Sequence, residues 1–170
     1  NARVIGNRIH GLGSTSAQAI YSEGTNNQFI NNLIYDNAAQ GLDIAAGSAL
    51  VYHNPVYNNG GTGLRTQGSS TVKNNIVHQN GGGNVAGATA DATNLIGVNP
   101  QFVNAVSGDF RLQAGSPAID RGVSLPEVTT AIDGSPRAVG SAPDIGAYEF
   151  DGAGADNTAP AVPQNFRRTD

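Results

Sequence analysis

The sequence predicts an all-β solenoid: a parallel β-helix of about 22 residues per coil, followed by an irregular carboxyl-terminal cap. Three observations point there. The first is composition. Among 170 residues there are 23 Gly and 19 Asn, while charged residues make up 13%, against roughly a quarter in an ordinary domain. Gly and Asn tolerate the left-handed backbone that tight corners require, so a packed chain carries this many only if corners recur. The second observation is that they do recur: Asn7-Arg8-Ile9-His10, Asn32-Leu33-Ile34-Tyr35, Asn54-Pro55-Val56-Tyr57 and Asn75-Ile76-Val77-His78 repeat at intervals of 25, 22 and 21. The third is that two apolar series keep step with them. Val4, Phe29, Val51 and Val72 precede each Asn by three residues, and Ile20, Leu42, Leu64 and Val85 follow at intervals of 22, 22 and 21.

Each coil therefore holds three short strands separated by Gly- or Asn-rich corners, and equivalent residues stack roughly 4.8 Å apart along the axis. An antiparallel sandwich is the competing arrangement, but it does not explain residue types recurring at about 22 over three strands at once. The first coil is longer because its strands are separated by an inserted loop over residues 11–18. The corner Asn residues are read as a ladder in which each side-chain amide bonds to its copy in the next coil. Asn37, Asn59 and Asn80 form a second ladder of the same kind. After about residue 86 the period stops, which divides the chain into coils over 1–93, a last coil and cap over 94–150, a Gly-rich linker over 151–157 and a Pro-rich tail over 158–170.

Charge and composition exclude several classes. Nine basic and thirteen acidic residues give a formal net charge of −4 and a pI near 5.2, and only Lys73 is a lysine. No basic patch for phosphate neutralisation can be built from so few scattered arginines, so nucleic acid is not an expected partner. With no Cys, disulfides, thiol catalysis and cysteine metal sites are excluded. No apolar run approaches the roughly 20 residues of a membrane helix. The chain opens on Asn1 without an initiator Met, from which the expectation is that it begins inside a longer protein.

These repeats resemble the right-handed parallel β-helix superfamily, which includes extracellular pectate, alginate and chondroitin lyases and polygalacturonases. The resemblance covers about residues 1–150. Its sharper part is the run Asn94-Leu95-Ile96-Gly97-Val98-Asn99-Pro100-Gln101-Phe102, with Gly108-Asp109-Phe110-Arg111-Leu112, Gly115-Ser116-Pro117-Ala118-Ile119-Asp120 and Asp144-Ile145-Gly146-Ala147-Tyr148-Glu149-Phe150. It is similar to the terminal segment of many secreted bacterial β-helix proteins, which implies closure of the carboxyl-terminal end. An open solenoid end exposes three strand edges and would need such a cover. The pairs Asp109/Arg111, Asp120/Arg121 and Asp133/Arg137 suit that role. The tail from Thr158 to Asp170 resembles the first strand of a fibronectin type III module, and the whole layout implies a secreted or cell-surface monomer.

Two outward columns are candidate binding sites. Strand alternation places Tyr21, Asp43 and Arg65 in line on one face, where an aromatic ring, a carboxylate and a guanidinium suit an oligosaccharide. A surface ion pair between Asp43 and Arg65 is the plainer reading. Tyr35 and Tyr57, between His10 and His78, form a stacked aromatic column that suits a sugar platform or simply stabilises the sheet. The lyase resemblance implies an acidic polysaccharide as partner, a Lys or Arg base, and calcium or Arg to offset the uronate carboxylate. Arg65 and Lys73 are the candidate catalytic pair. The clustered acids of a calcium site are missing from the repeats, where only Glu23, Asp36 and Asp43 precede Asp91, and the main catalytic residues of an enzyme are expected upstream of Asn1. The alternative is a non-catalytic surface, adhesive or carbohydrate-binding solenoid.

Overall fold

The structure, a computed structural model, describes residues 1–87 and 91–152. The expected fibronectin-like start over 158–170 lies outside the described residues, as does the expected linker apart from Asp151 and Gly152. The first coil contains β1 (Arg3–Ile5), β2 (Arg8–His10) and β3 (Ile20–Ser22). The second contains β4 (Asn27–Ile30), β5 (Leu33–Tyr35) and β6 (Leu42–Ile44), and the third β7 (Ala49–Tyr52), β8 (Pro55–Tyr57) and β9 (Leu64–Thr66). In the fourth are β10 (Thr71–Lys73), β11 (Ile76–His78) and β12 (Val85–Gly87), after which β13 (Leu95–Ile96) adds one more strand.

Three parallel sheets result: β1-β4-β7-β10, β2-β5-β8-β11-β13 and β3-β6-β9-β12. Their registers are the ones the periodicity gives. Val4 pairs with Phe29, Phe29 with Val51 and Val51 with Val72, and Ile20, Leu42, Leu64 and Val85 align likewise. These inward residues meet Ile34, Val56 and Val77 of the second sheet in one apolar core. Their burial away from water is the main stabilising term.

Two of the three corners are held by hydrogen bonds of Asn side-chain amides. At the first corner the Oδ1 of each Asn accepts both the backbone N–H and the Nδ2 of the Asn one coil earlier, as Asn54 does for Asn32 at 2.9 and 3.0 Å. The chain of such bonds runs Asn7, Asn32, Asn54, Asn75, Asn94. The second corner repeats it through Asn37, Asn59 and Asn80, ending on Asn84. One detail differs from expectation: the left-handed residue is the one before the ladder Asn. Gly6, Asn31, His53 and Asn74 have φ of 69, 55, 57 and 58°, whereas the ladder Asn itself is kept for its amide.

At the Gly60 corner the stacked coils leave no room for a side chain. A Cβ on Gly60 would lie 2.3 Å from the Ala38 carbonyl oxygen, whereas one on Gly13 would meet nothing within 4 Å. Gly60→Ala is therefore expected to destabilise the protein by about 2–3 kcal/mol, with Gly13→Ala near neutral. Equal urea midpoints for the two variants would refute the stacking argument.

Residues 98–150 are irregular apart from a short antiparallel pair, β14 (Phe102–Asn104) and β15 (Asp109–Leu112), joined by a 3-10 turn over Ala105–Ser107. They were expected to fold across the end of the solenoid. Instead they run along its flank and bond to all four coils: Arg8 Nη1 donates to Gly108 O at 2.8 Å, Asn31 Nδ2 to Thr130 O at 3.0 Å, and Asn74 Nδ2 to Val123 O at 2.8 Å, while His53 meets Gly146 O. The reason is the outer face of the second sheet, where Leu33, Tyr35 and Ile76 point away from the solenoid core and need cover. Phe102, Phe110, Leu112, Ile145 and Tyr148 supply it, forming a second core. A third, smaller cluster joins Ile30 and Tyr52 to Val128.

Candidate functional site

The outer face of the third sheet carries the expected column: Tyr21 pairs in register with Asp43, and Asp43 with Arg65. Arg65 donates from Nε to Asp43 Oδ1 at 2.8 Å and from Nη2 to Oδ2 at 2.6 Å, a bidentate pair. Gln18, from the loop inserted in the first coil, reaches the same carboxylate at 3.4 Å. Asp43 is consequently fully buried, while the Arg65 side chain remains 32% exposed. This corrects the expectation that Asp43 itself touches a ligand: a carboxylate roofed by its own partner positions that partner instead. The Asp43 carboxylate also raises the Arg65 guanidinium above its ordinary range. Tyr21 is 50% exposed. Its hydroxyl donates to Glu23, which raises the phenol.

The second column is not open. His10 stacks on Tyr35 with ring centroids 4.6 Å apart, but Phe110 packs against Tyr35 at 4.7 Å and both Phe102 and Phe110 meet Tyr57 edge-on. Tyr35 is 6% exposed, so the proposed sugar platform is the floor of the second core. Tyr57 is half-buried, and its edge lines a surface groove of about 730 Å³ beside Leu12, Asp36, Asn58, Gln79 and Val106. There the corner residues of successive coils stack, and Asn58 Nδ2 donates to Asp36 Oδ1 at 2.7 Å.

The candidate catalytic pair is likewise not assembled. Lys73 lies in the first sheet, in register with Tyr52, and its ammonium pairs with Asp91 at 3.0 Å. Arg65 lies in the third sheet. Two cations on different sheets do not converge on one sugar ring. Among the described residues no three His, Asp or Glu side chains gather to share an ion. No helix among those residues is long and apolar enough to cross a membrane.

The sequence reading passed over one buried ion pair. Arg137, read as a partner of Asp133, pairs with Glu149 at 2.6 Å, with side chains 2% and 1% exposed. Asp109 and Arg111 do pair as expected, at 2.6 Å, and Arg111 lowers the Asp109 carboxyl. Asp120 Oδ1 accepts from Ser141 and Ala142 N–H groups. His53 and Asn74, both in the left-handed corner column, turn their side chains toward the flank segment. The signal was their place in that column, where Gly6 and Asn31 stand in earlier coils.

Continuous parallel sheets wound through short corners define the chain as a β-solenoid. Residues 1–116 match the model of the right-handed β-helix region family, and the chain belongs to that family. No curated protein matches it.

Proposed function

We propose that the chain is a glycan-binding β-helix module of a secreted or cell-surface protein, which takes acidic polysaccharide on the outer face of the third sheet. The observation that carries this is the ordered column of an exposed Tyr21 ring and an Arg65 guanidinium fixed by buried Asp43. A ring offers a stacking face to a pyranose, and a pre-oriented guanidinium loses little conformational freedom on meeting a uronate carboxylate. Successive coils rise by about 4.8 Å, comparable to the length of one sugar unit, so a chain lying along the axis meets one residue per coil. The secreted setting is supported by the resemblance of residues 94–150 to terminal segments of such proteins. Binding is favoured over cleavage because β-elimination needs a base and a carboxylate-neutralising group at one sugar, and Arg65 and Lys73 stand on separate sheets.

Calorimetric titration with oligogalacturonate, oligoalginate and a neutral oligosaccharide tests this. Arg65→Ala is expected to weaken binding of an acidic chain about tenfold, near 1.4 kcal/mol, with a smaller effect on a neutral one, and Tyr21→Ala to weaken both. Unchanged affinity in both variants removes the site. Growth of ultraviolet absorbance from unsaturated products would return the lyase reading.

A further inference from the structure

His53 is the one histidine inside the contact between solenoid and flank segment, and it is 1% exposed. Its hydrogen bonds fix its protonation state. Val123 N–H donates to Asn74 Oδ1 at 3.0 Å and Asn74 Nδ2 donates to Val123 O at 2.8 Å, which orients the Asn74 amide. The same Nδ2 faces His53 Nε2 at 3.0 Å, so Nε2 is an acceptor and carries no proton. Nδ1 lies 3.1 Å from the Gly146 carbonyl and must donate. The imidazole is thereby neutral, bridging Asn74 of the fourth coil and Gly146 of the segment.

We propose that residues 118–150 are held on the solenoid by a proton-sensitive latch, in which neutral His53 joins the two parts and protonation of its Nε2 releases the segment from the apolar stripe beneath. A proton on Nε2 would set an N–H against the amide N–H of Asn74. It would also place an imidazolium beside Arg137, whose Nη2 donates to the same Gly146 carbonyl at 2.9 Å. The other charged groups facing this contact are Glu149, already engaged by Arg137, and Asp144, which accepts from the N–H groups of Asp120 and Phe150.

The sign follows from both titrations. Burial, aided by Arg137, lowers His53 to about 3 from 6.5, so its contribution to closure is complete above pH 6.5 and is lost as the pH falls toward 3. Asp144 works the other way. Burial raises its carboxyl from 3.8 to about 6, so its contribution is complete below pH 3.8 and is lost as the pH rises through 6. Comparing the chain with its His53→Gln variant removes the Asp144 effect, which is common to both.

Amide hydrogen exchange between pH 7 and 4, corrected for intrinsic rates, reads the latch at Gly146, whose N–H donates to Asn74 O, and at Ile132 and Ile145. The ratio of segment opening in the natural chain to that in His53→Gln is expected to grow about tenfold per pH unit below 6.5, while Leu33 and Ile76 amides in the solenoid stay protected. A pH-independent ratio, or loss of protection in solenoid and segment together, would overturn the proposal. Should the variant not fold, nitrogen NMR of the natural chain decides: the closed state must show the neutral Nδ1–H tautomer, and a His53 that titrates near its ordinary value with the segment still closed defeats it.

Discussion

Asn54→Ala is expected to cost about 3–6 kcal/mol, although the residue carries no charge. Its side chain is fully buried and donates to Phe29 O at 2.8 Å, Tyr52 O at 3.0 Å and Asn75 Oδ1 at 2.9 Å, while accepting from Asn32 N and Nδ2. Truncation strips partners from the Asn32 N–H and the Phe29 carbonyl within a dry corner, each at about 1–3 kcal/mol, and leaves a void as well. Asn54→Asp is expected to be no better. It keeps the acceptor for Asn32 but turns a carboxylate oxygen toward the two carbonyls and the Asn75 Oδ1 that the amide served. Asn7 supplies the contrast, since it occupies the first rung and bonds only one neighbouring Asn; Asn7→Ala should cost about 1 kcal/mol. Urea unfolding of the three variants measures the differences, and an Asn54→Ala chain within about 1 kcal/mol of the natural one would show that the ladder is not structural.

The same ladder explains why the fold was readable from the sequence. A solenoid converts a period into contacts, so the spacing of Asn7, Asn32, Asn54 and Asn75 places Val4 against Phe29 and Tyr21 against Asp43 with no further information. What lies on top of a column has no such period. Alternation says that Asp43 points outward, but Gln18 and Arg65 fold over it and leave it buried. Tyr35 points outward too, and Phe110 covers it. That ring arrives from a segment without repeats, whose neighbouring Gly108 meets Arg8 across 100 residues of sequence. Contacts of that span follow from packing of one unique surface on another. Charge proximity along the chain was a poor guide for the same reason: Asp133 lies four residues from Arg137, yet Glu149 is the residue that the fold brings to it.

Breaking that pair should detach the segment. The Arg137 guanidinium donates to Glu149 at 2.6 Å, to Asn31 Oδ1 at 2.9 Å and to Gly146 O at 2.9 Å, and Glu149 also accepts from Asp144 N–H and Val139 N–H. Both side chains are almost wholly withdrawn from water, so removing either leaves the other as an uncompensated buried charge. Arg137→Ala and Glu149→Gln are each expected to cost about 3–5 kcal/mol. The double variant Arg137→Met, Glu149→Leu should lose much less than the sum of its single changes, because no isolated charge remains. It should not return fully to the natural stability, since Asn31 and the Gly146 carbonyl still lose a donor. The damage belongs to the flank rather than the coils: proteolysis of Arg137→Ala should cut within residues 118–150 while the Asn-laddered solenoid resists, whereas uniform cleavage would mean that coils and segment unfold as one cooperative unit.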